Sequence, residues 1–296
     1  NGGYPTEVHR INSNGKRHSP KFKTAWNREL FFSDPLYSDC WIIKKELWNK
    51  AFTNLKKSEN KISFYILIFE IIKIIELRNQ TNKIIHIPFI CYRKRANLVS
   101  PKQKIPRKSI KYIEKEINNF FCKKNESISI KPNSFGYKLC WATAKKSLLS
   151  ILIPTRDKSF LLEKCINSLE SNISGVPFEI IIIDNNSIEK ETSNFLEKFK
   201  HSSTPSYPKK VLSIPGPFNY SDLNNKAVHI SSGNVILLLN NDVELISSNW
   251  GFELVSNALR DGIGCVGCKL LFHDKTIQHG GVILGIGGAA GHAHKY

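Results

Sequence analysis

Two short apolar runs, each ending abruptly in amides and carboxylates, limit most strongly how this chain can fold. Residues 179–183 (EIIII) lead into Asp184, Asn185, Asn186 and Ser187, and residues 235–239 (VILLL) lead into Asn240, Asn241 and Asp242. A near-continuous Ile, Leu and Val run is buried on both faces, which is how parallel strands in a helix-covered sheet read. In such sheets ligands bind beyond the carboxyl ends of the strands. Asn and Asp are also ordinary turn residues, so one cluster alone reads first as a strand-to-loop turn. A third strand, 149–153 (LSILI), ends similarly, in Pro154, Thr155, Arg156 and Asp157. Three such endings in one domain favour a site.

Helical periodicity fills the gaps. Leu161, Leu162, Cys165, Ile166 and Leu169 fall on one face of a helix over 158–171, for which Asp157 or Ser159 is the expected N-cap. Further helices are expected at about 188–200, 221–230 and 248–260, and a short strand at 211–212. Gly233 and Gly262 stand where helix C-caps are expected. Strands alternating with helices define an α/β layer architecture.

Charge divides the chain unevenly. Residues 1–147 carry 30 Lys and Arg against 11 Asp and Glu, whereas residues 148–296 carry 13 against 14. Such an asymmetry suits an anionic partner, a membrane surface before nucleic acid because no nucleic-acid-binding motif accompanies it. A solvated basic surface is the alternative. The seven Cys are well separated and no secretory leader is evident, which favours reduced thiols and a cytoplasmic setting. The longest apolar stretch, 62–77, contains Ser63, Glu70, Lys73 and Glu76; it is too short and too charged for a membrane span and reads as a buried helix. A chain of 296 residues without Met that starts at Asn1 reads as part of a longer reading frame.

From Ser150 to Tyr296 the segments SILIPTRDK, EIIIIDNNS, PFNYSDLNNKAV, GNVILLLNNDVEL and QHGGVILGIGGAAGHAH resemble family 2 glycosyltransferases, in particular the bacterial branch that builds O-antigen, rhamnan and other surface polysaccharides. The resemblance implies a GT-A fold with a Rossmann-like, mostly parallel sheet, a nucleotide-diphosphate sugar as donor, and Mg²⁺ or Mn²⁺. It implies metal binding by Asp242, with Asn240 and Asn241 completing the position of the family's Asp-x-Asp motif. Asn240 replaces the first carboxylate there. The same resemblance gives the base or ribose to Asp184, with Asn186 beside it, and the first nucleotide-contacting loop to Thr155, Arg156 and Asp157. Asn224 and Asn225 stand where many relatives carry Arg-Asn, and Asn225 is the expected donor contact. The chemistry agrees, since hard divalent cations take one or two carboxylates together with phosphate oxygens.

The resemblance also orders the domains. Residues 1–93 resemble the degenerate closing portion of a preceding related transferase domain, on NGKRHSP (14–20), FKTAWN (22–27), IHIP (85–88) and CYR (91–93). That domain's acidic base cluster would fall near 61–63, where no carboxylate stands; Glu59 and Glu70 are out of register. Residues 94–147 read as a basic connector, broken by Pro101 and Pro106, with an amphipathic helix on Ile110, Ile113, Ile117, Phe120 and Phe121, then strands at about 127–131 and 135–142. Residues 148–296 are the donor half of a transferase whose catalytic base is expected beyond Tyr296, so that transfer by these residues alone is expected to be poor.

The implied activity is inverting, metal-dependent sugar transfer to a polysaccharide or lipid-linked glycan at the inner face of the plasma membrane. A non-catalytic scaffold in a polysaccharide-assembly complex is the alternative. A nucleotidyltransferase is disfavoured because residues 154–157 contain no Gly. His279, His292 and His294 read as loop histidines before metal ligands. Cys265 and Cys268 form a lone CxxC, which disfavours zinc. The Gly285, Gly287, Ala290 pattern stands too far from the first strand–helix–strand unit to be a dinucleotide fingerprint.

Overall fold

A computed structural model describes residues 6–11, 15–21, 26–33, 40–56, 64–78, 84–95, 107–121, 127–132, 137–142, 147–202, 207–284 and 288–292. Glu59, residues 61–63, Pro101, Pro106, Gly285, Gly287 and His294 lie outside them. The chain forms two compact units, Asn1–Trp141 and Ala142–Tyr296.

The first unit contains β1 (Thr6–Ile11), β2 (Arg17–Lys21), α1 (Arg28–Ser33), α2 (Lys45–Lys56), α3 (Phe64–Leu77), β3 (Ile87–Arg95), α4 (Arg107–Phe121), β4 (Ile128–Pro132) and β5 (Tyr137–Trp141). β1 pairs antiparallel with β2 and parallel with β3, and β4 with β5 forms a separate antiparallel pair. The apolar stretch is α3, and Ile66, Ile68, Phe69 and Ile72 make it the centre of this unit's core. Within the stretch 94–147, read from the sequence as a connector, α4, β4 and β5 contribute Ile113, Ile117, Ile128 and Trp141 to that same core. Ile113 and Ile117 on the apolar face of α4 are therefore covered by their own unit. Lys73 bridges the carboxylates of Glu70 and Glu116. Burial alone would lower the Lys73 pKa, but hydrogen bonds to these two carboxylates outweigh it and raise it.

The second unit opens with β6 (Leu149–Thr155), α5 (Ser159–Ser171), β7 (Phe178–Asp184), α6 (Lys190–His201), β8 (Lys209–Ser213), α7 (Tyr220–Ile230), β9 (Val235–Leu238) and α8 (Trp250–Ala258). The four strands form a wholly parallel sheet in the order β8-β7-β6-β9. Alternation along the strands divides the core between the two faces. Leu149, Ile151, Ile153, Ile180 and Ile182 pack with α5, α6 and α8. Leu152, Ile181 and Ile183 pack with Leu223 and Ala227 of α7. The fold is thus α/β, a parallel sheet with helices on both faces, as the GT-A resemblance implies. Two short antiparallel pairs follow, β10 (Leu270–Leu271) with β11 (Ile277–His279), and β12 (Val282–Leu284) with β13 (Ala290–His292).

Three expected cap assignments are corrected. The residue before α5 is Lys158, with no side-chain cap bond. The Asp157 carboxylate turns away to accept from the Ile188 and Glu189 amides (2.8 and 2.9 Å). Gly233 does not cap α7, whose C-cap is Ser231. A Cβ at Gly233 would lie 2.6 Å from both the Leu148 carbonyl oxygen and Ser150 Oγ, so this glycine answers a close approach to β6. The C-cap of α8 is Leu259, three residues before Gly262.

Candidate functional site

The sheet order turns at β6: the chain runs outward through β7 and β8, then returns to place β9 on the other side of β6. A crevice opens at such a switch point, outside the carboxyl ends of the strands. Here it is a cavity of about 380 Å³, lined by Pro154, Thr155, Arg156 and Lys158 after β6, Asn240, Asn241 and Asp242 after β9, and Leu161, Phe218 and Tyr220.

Register brings the endings together. Thr155 is the lateral partner of Asp184, which is itself the partner of Ser213. The Asn241 side-chain amide donates to Thr155 Oγ1 (3.0 Å), and the Asn185 amide to the Thr155 carbonyl (2.9 Å). Asn185, 2% exposed, donates through Nδ2 to the Ile214 and Gly216 carbonyls, drawing the end of β8 inward. Asp184 Oδ1 accepts from the Ser187 amide (3.1 Å).

The loop after β6 holds two consecutive non-glycine residues in the left-handed region, Asp157 at φ 56° and Lys158 at φ 53°. Each costs about 1–2 kcal/mol. The loop after β7 supplies the compensation. Ser187 Oγ accepts from the Asp157 amide (2.8 Å), and Glu189 Oε2 accepts from the Lys158 amide (2.8 Å). With the two bonds to the Asp157 carboxylate, four hydrogen bonds clasp the loops together. Strain so maintained clusters at functional sites.

Of the residues singled out from sequence, Thr155, Arg156, Asn240, Asn241 and Asp242 line the cavity. Asp157, Asp184 and Asn186 are not among the lining residues; Asp184 is the last residue of β7, Asp157 and Asn186 stand on the loops after β6 and β7, and Asn225 is exposed on α7. Asn224 is buried, donating to the Tyr220 carbonyl (2.8 Å). Sequence reasoning missed Lys158, Phe218 and Tyr220. The two aromatics are 64% and 39% exposed, beside Asn219, which caps α7 by accepting from the Asp222 amide. The available signal was the segment PFNY itself, aromatic residues in a polar loop just before a helix.

Asp242 is the one carboxylate among the lining residues. Among the described residues no three His, Cys, Asp or Glu side chains converge to hold a metal. This donor set fits Mg²⁺ or Mn²⁺ shared with ligand phosphates, since such cations keep several waters and need only one or two carboxylates. It does not fit a closed structural site. Behind the cavity, Cys165 Sγ meets the Asn240 carbonyl (3.7 Å). Burial first, then the charges of Asp242 and Glu244, pushes this thiol up to about 12, so it stays protonated and inert. His279 and His292 face each other, Nδ1 to Nδ1 2.9 Å, on exposed strands. Cys265 and Cys268 are exposed free thiols.

An open parallel sheet with a polar cavity at its switch point defines the class of α/β domains that bind ligands beyond their strand ends. Residues 150–281, within the second unit, match the family Glycosyl transferase family 2. Beyond this segment, the chain is 33% identical over 297 residues to the Uncharacterized protein y4gI of Sinorhizobium fredii, covering 98% of this chain and 32% of that protein. It is 29% identical over 291 residues to the O-antigen biosynthesis protein RfbC of Myxococcus xanthus, covering 97% of this chain and 22% of that protein. The chain thus spans about a third and about a fifth of these relatives, and in both the likeness extends over its two units. Among solved structures, the mannosyltransferase PcManGT from Pyrobaculum calidifontis, in complex with GDP-Man and Mn²⁺, overlaps 43% of this chain and 36% of its own, with TM-score 0.39 and 14% identity. S. aureus TarS 1-349 in complex with UDP overlaps 32% and 27%, with TM-score 0.26 and 22% identity.

Proposed function

We propose that the second unit holds a nucleotide-diphosphate sugar in the cavity between the ends of β6 and β9, for transfer to a polysaccharide or lipid-linked glycan. The observation that carries this reading is that Thr155, Arg156, Asn241 and Asp242, from two strands distant in sequence, line one cavity at the switch point of a glycosyltransferase domain. Asp242 would hold Mg²⁺ or Mn²⁺, which when bound screens the charge developing on the leaving diphosphate. Asp184, beside Thr155 in the sheet, would take the base or ribose, with Asn186 on the loop that follows. The reaction is a direct displacement: the acceptor oxygen bonds to the anomeric carbon as the bond to the diphosphate breaks, with inversion. The acceptor proton passes to a carboxylate base, to which none of these residues is assigned. The O-antigen biosynthesis protein among the relatives supports surface polysaccharide as the product class.

Calorimetry with UDP, GDP and dTDP tests the assignment. Asp242→Ala is expected to abolish the gain in nucleotide affinity that Mg²⁺ or Mn²⁺ confers, while leaving binding in EDTA within a few-fold. An unchanged metal-dependent affinity would remove Asp242 from the metal position.

A further inference from the structure

Three of the residues lining the cavity are charged: Arg156, Lys158 and Asp242. Among the described residues none of the three has a hydrogen-bond or ion-pair partner for its charged group. The ionisable lining therefore sums to one positive charge, where a second carboxylate at position 240 would have brought it to zero. A cavity of that sign attracts a polyanion by itself. Lys158 is also held on the wall at a cost, in a left-handed conformation maintained by Glu189 and by the Asp157 contacts.

Building on the donor-site reading above, we propose that Lys158, with Arg156, anchors the donor's diphosphate directly, so that nucleoside diphosphates bind here without a divalent cation. Asn240 makes this arrangement coherent. With one carboxylate instead of two, the cavity holds a cation less tightly, and the side-chain cations supply the complementary charge. An ammonium is a compact, mobile donor, suited to follow the oxygens of a diphosphate as it takes on a further negative charge on departure. A nucleoside monophosphate presents only the inner phosphate, and Lys158 discriminates against it.

The experiment measures binding of UDP, GDP and dTDP, and of the matching monophosphates, to the 296-residue chain by calorimetry, in Mg²⁺ and in EDTA. The wild type is expected to bind at least one diphosphate in EDTA. Lys158→Gln is expected to weaken that binding by roughly ten- to a hundredfold, the range of a charged hydrogen bond, with a loss of less than about threefold for the monophosphate. Lys158→Arg, which keeps the charge, restores most of the affinity. Equal diphosphate affinity of wild type and Lys158→Gln in EDTA overturns the proposal, as does an equal loss for mono- and diphosphates. Wild-type binding that requires Mg²⁺ also overturns it, while leaving the donor site standing. No binding of any nucleotide in either buffer overturns the donor-site reading itself.

Discussion

Glu179→Gln tests how the amino end of the sheet holds the site at the other end in place. Glu179 opens the buried part of β7 and is 1% exposed. Its Oε1 accepts from Ser150 Oγ on β6 (2.6 Å) and from the Ser232 amide before β9, and its Oε2 accepts from Lys210 Nζ on β8 (3.0 Å). One carboxylate thus joins β6, β7 and β8 to the segment that leads into β9. Removing one partner of a buried charge pair costs about 3–5 kcal/mol. Two features reduce that here. The Lys210 side chain is 35% exposed, and its ammonium keeps the Ile230 carbonyl (2.7 Å) and Ser232 Oγ (3.2 Å). The Gln carbonyl also keeps an acceptor toward Ser150. A loss of about 2–3 kcal/mol remains. Hydrogen exchange read on the β6 and β7 amides isolates this unit from the other and should show protection falling roughly thirty- to a hundred-and-fifty-fold. The pH dependence carries a sign. Burial alone would raise the Glu179 pKa, but the bonds from Ser150, Ser232 and Lys210 outweigh it and lower it. Its stabilisation is therefore fully present above the unfolded carboxylate value of about 4.3 and is lost as pH falls through the lowered folded value. The difference between wild type and variant should shrink over that acidic window. Protection unchanged within about threefold at neutral pH would refute the reasoning.

Two shorter predictions accompany this one and those for Asp242 and Lys158. Asp157→Ala removes the acceptor for the Ile188 and Glu189 amides at a partly exposed position, a loss of about 1–2 kcal/mol; these two amides should exchange about tenfold faster, and unchanged exchange would mean that the clasp does not hold the loop. The first unit, with its excess of Lys and Arg, should sediment with anionic vesicles at low salt and be released at high salt, each basic residue near the surface adding about 1 kcal/mol. Because Ile113 and Ile117 of α4 are buried in their own core, insertion into the bilayer is not part of this expectation, and equal binding to neutral vesicles would contradict it.

Most of the sheet was legible because β6, β7 and β9 carry runs of Ile, Leu and Val, and a run such as 180–183 has few ways to be buried except between helices. The α5 face was legible for a similar reason, Leu162, Cys165, Ile166 and Leu169 recurring at helical spacing and all buried. The convergence of Asn241 on Thr155 follows once β9 is laid beside β6, but the neighbour relation itself is long-range and carries no local signature. Asp157 shows the limit most clearly. Asp before a helix reads as a cap by local preference, yet tertiary contacts with residues 187–189 hold it left-handed and turn its carboxylate to another loop. Gly233 misled in the same way, since a glycine after a helix resembles a cap while its true constraint is Ser150 on another strand. Lys158, Phe218 and Tyr220 went unnoticed because exposed cations and aromatics look alike in sequence whether they face solvent or a cavity wall.

The two walls of the cavity are held with different firmness. Thr155, Asp184 and Ser213 belong to strands paired along seven and five positions, further tied by Asn185. Asp242 follows β9, a strand of four residues at the edge of the sheet, half-buried at Val235, Ile236 and Leu237, exposed at Leu238, and joined past its last residue through the Leu239 amide and Asn241. Local opening should therefore begin at β9 and leave the opposite wall standing. A ligand that bridges the walls closes off that opening, so part of its binding energy goes into completing the sheet. Occupancy then becomes readable at a distance from the ligand, as slower exchange of the β9 amides, and any substitution that loosens β9 weakens affinity without touching what is bound.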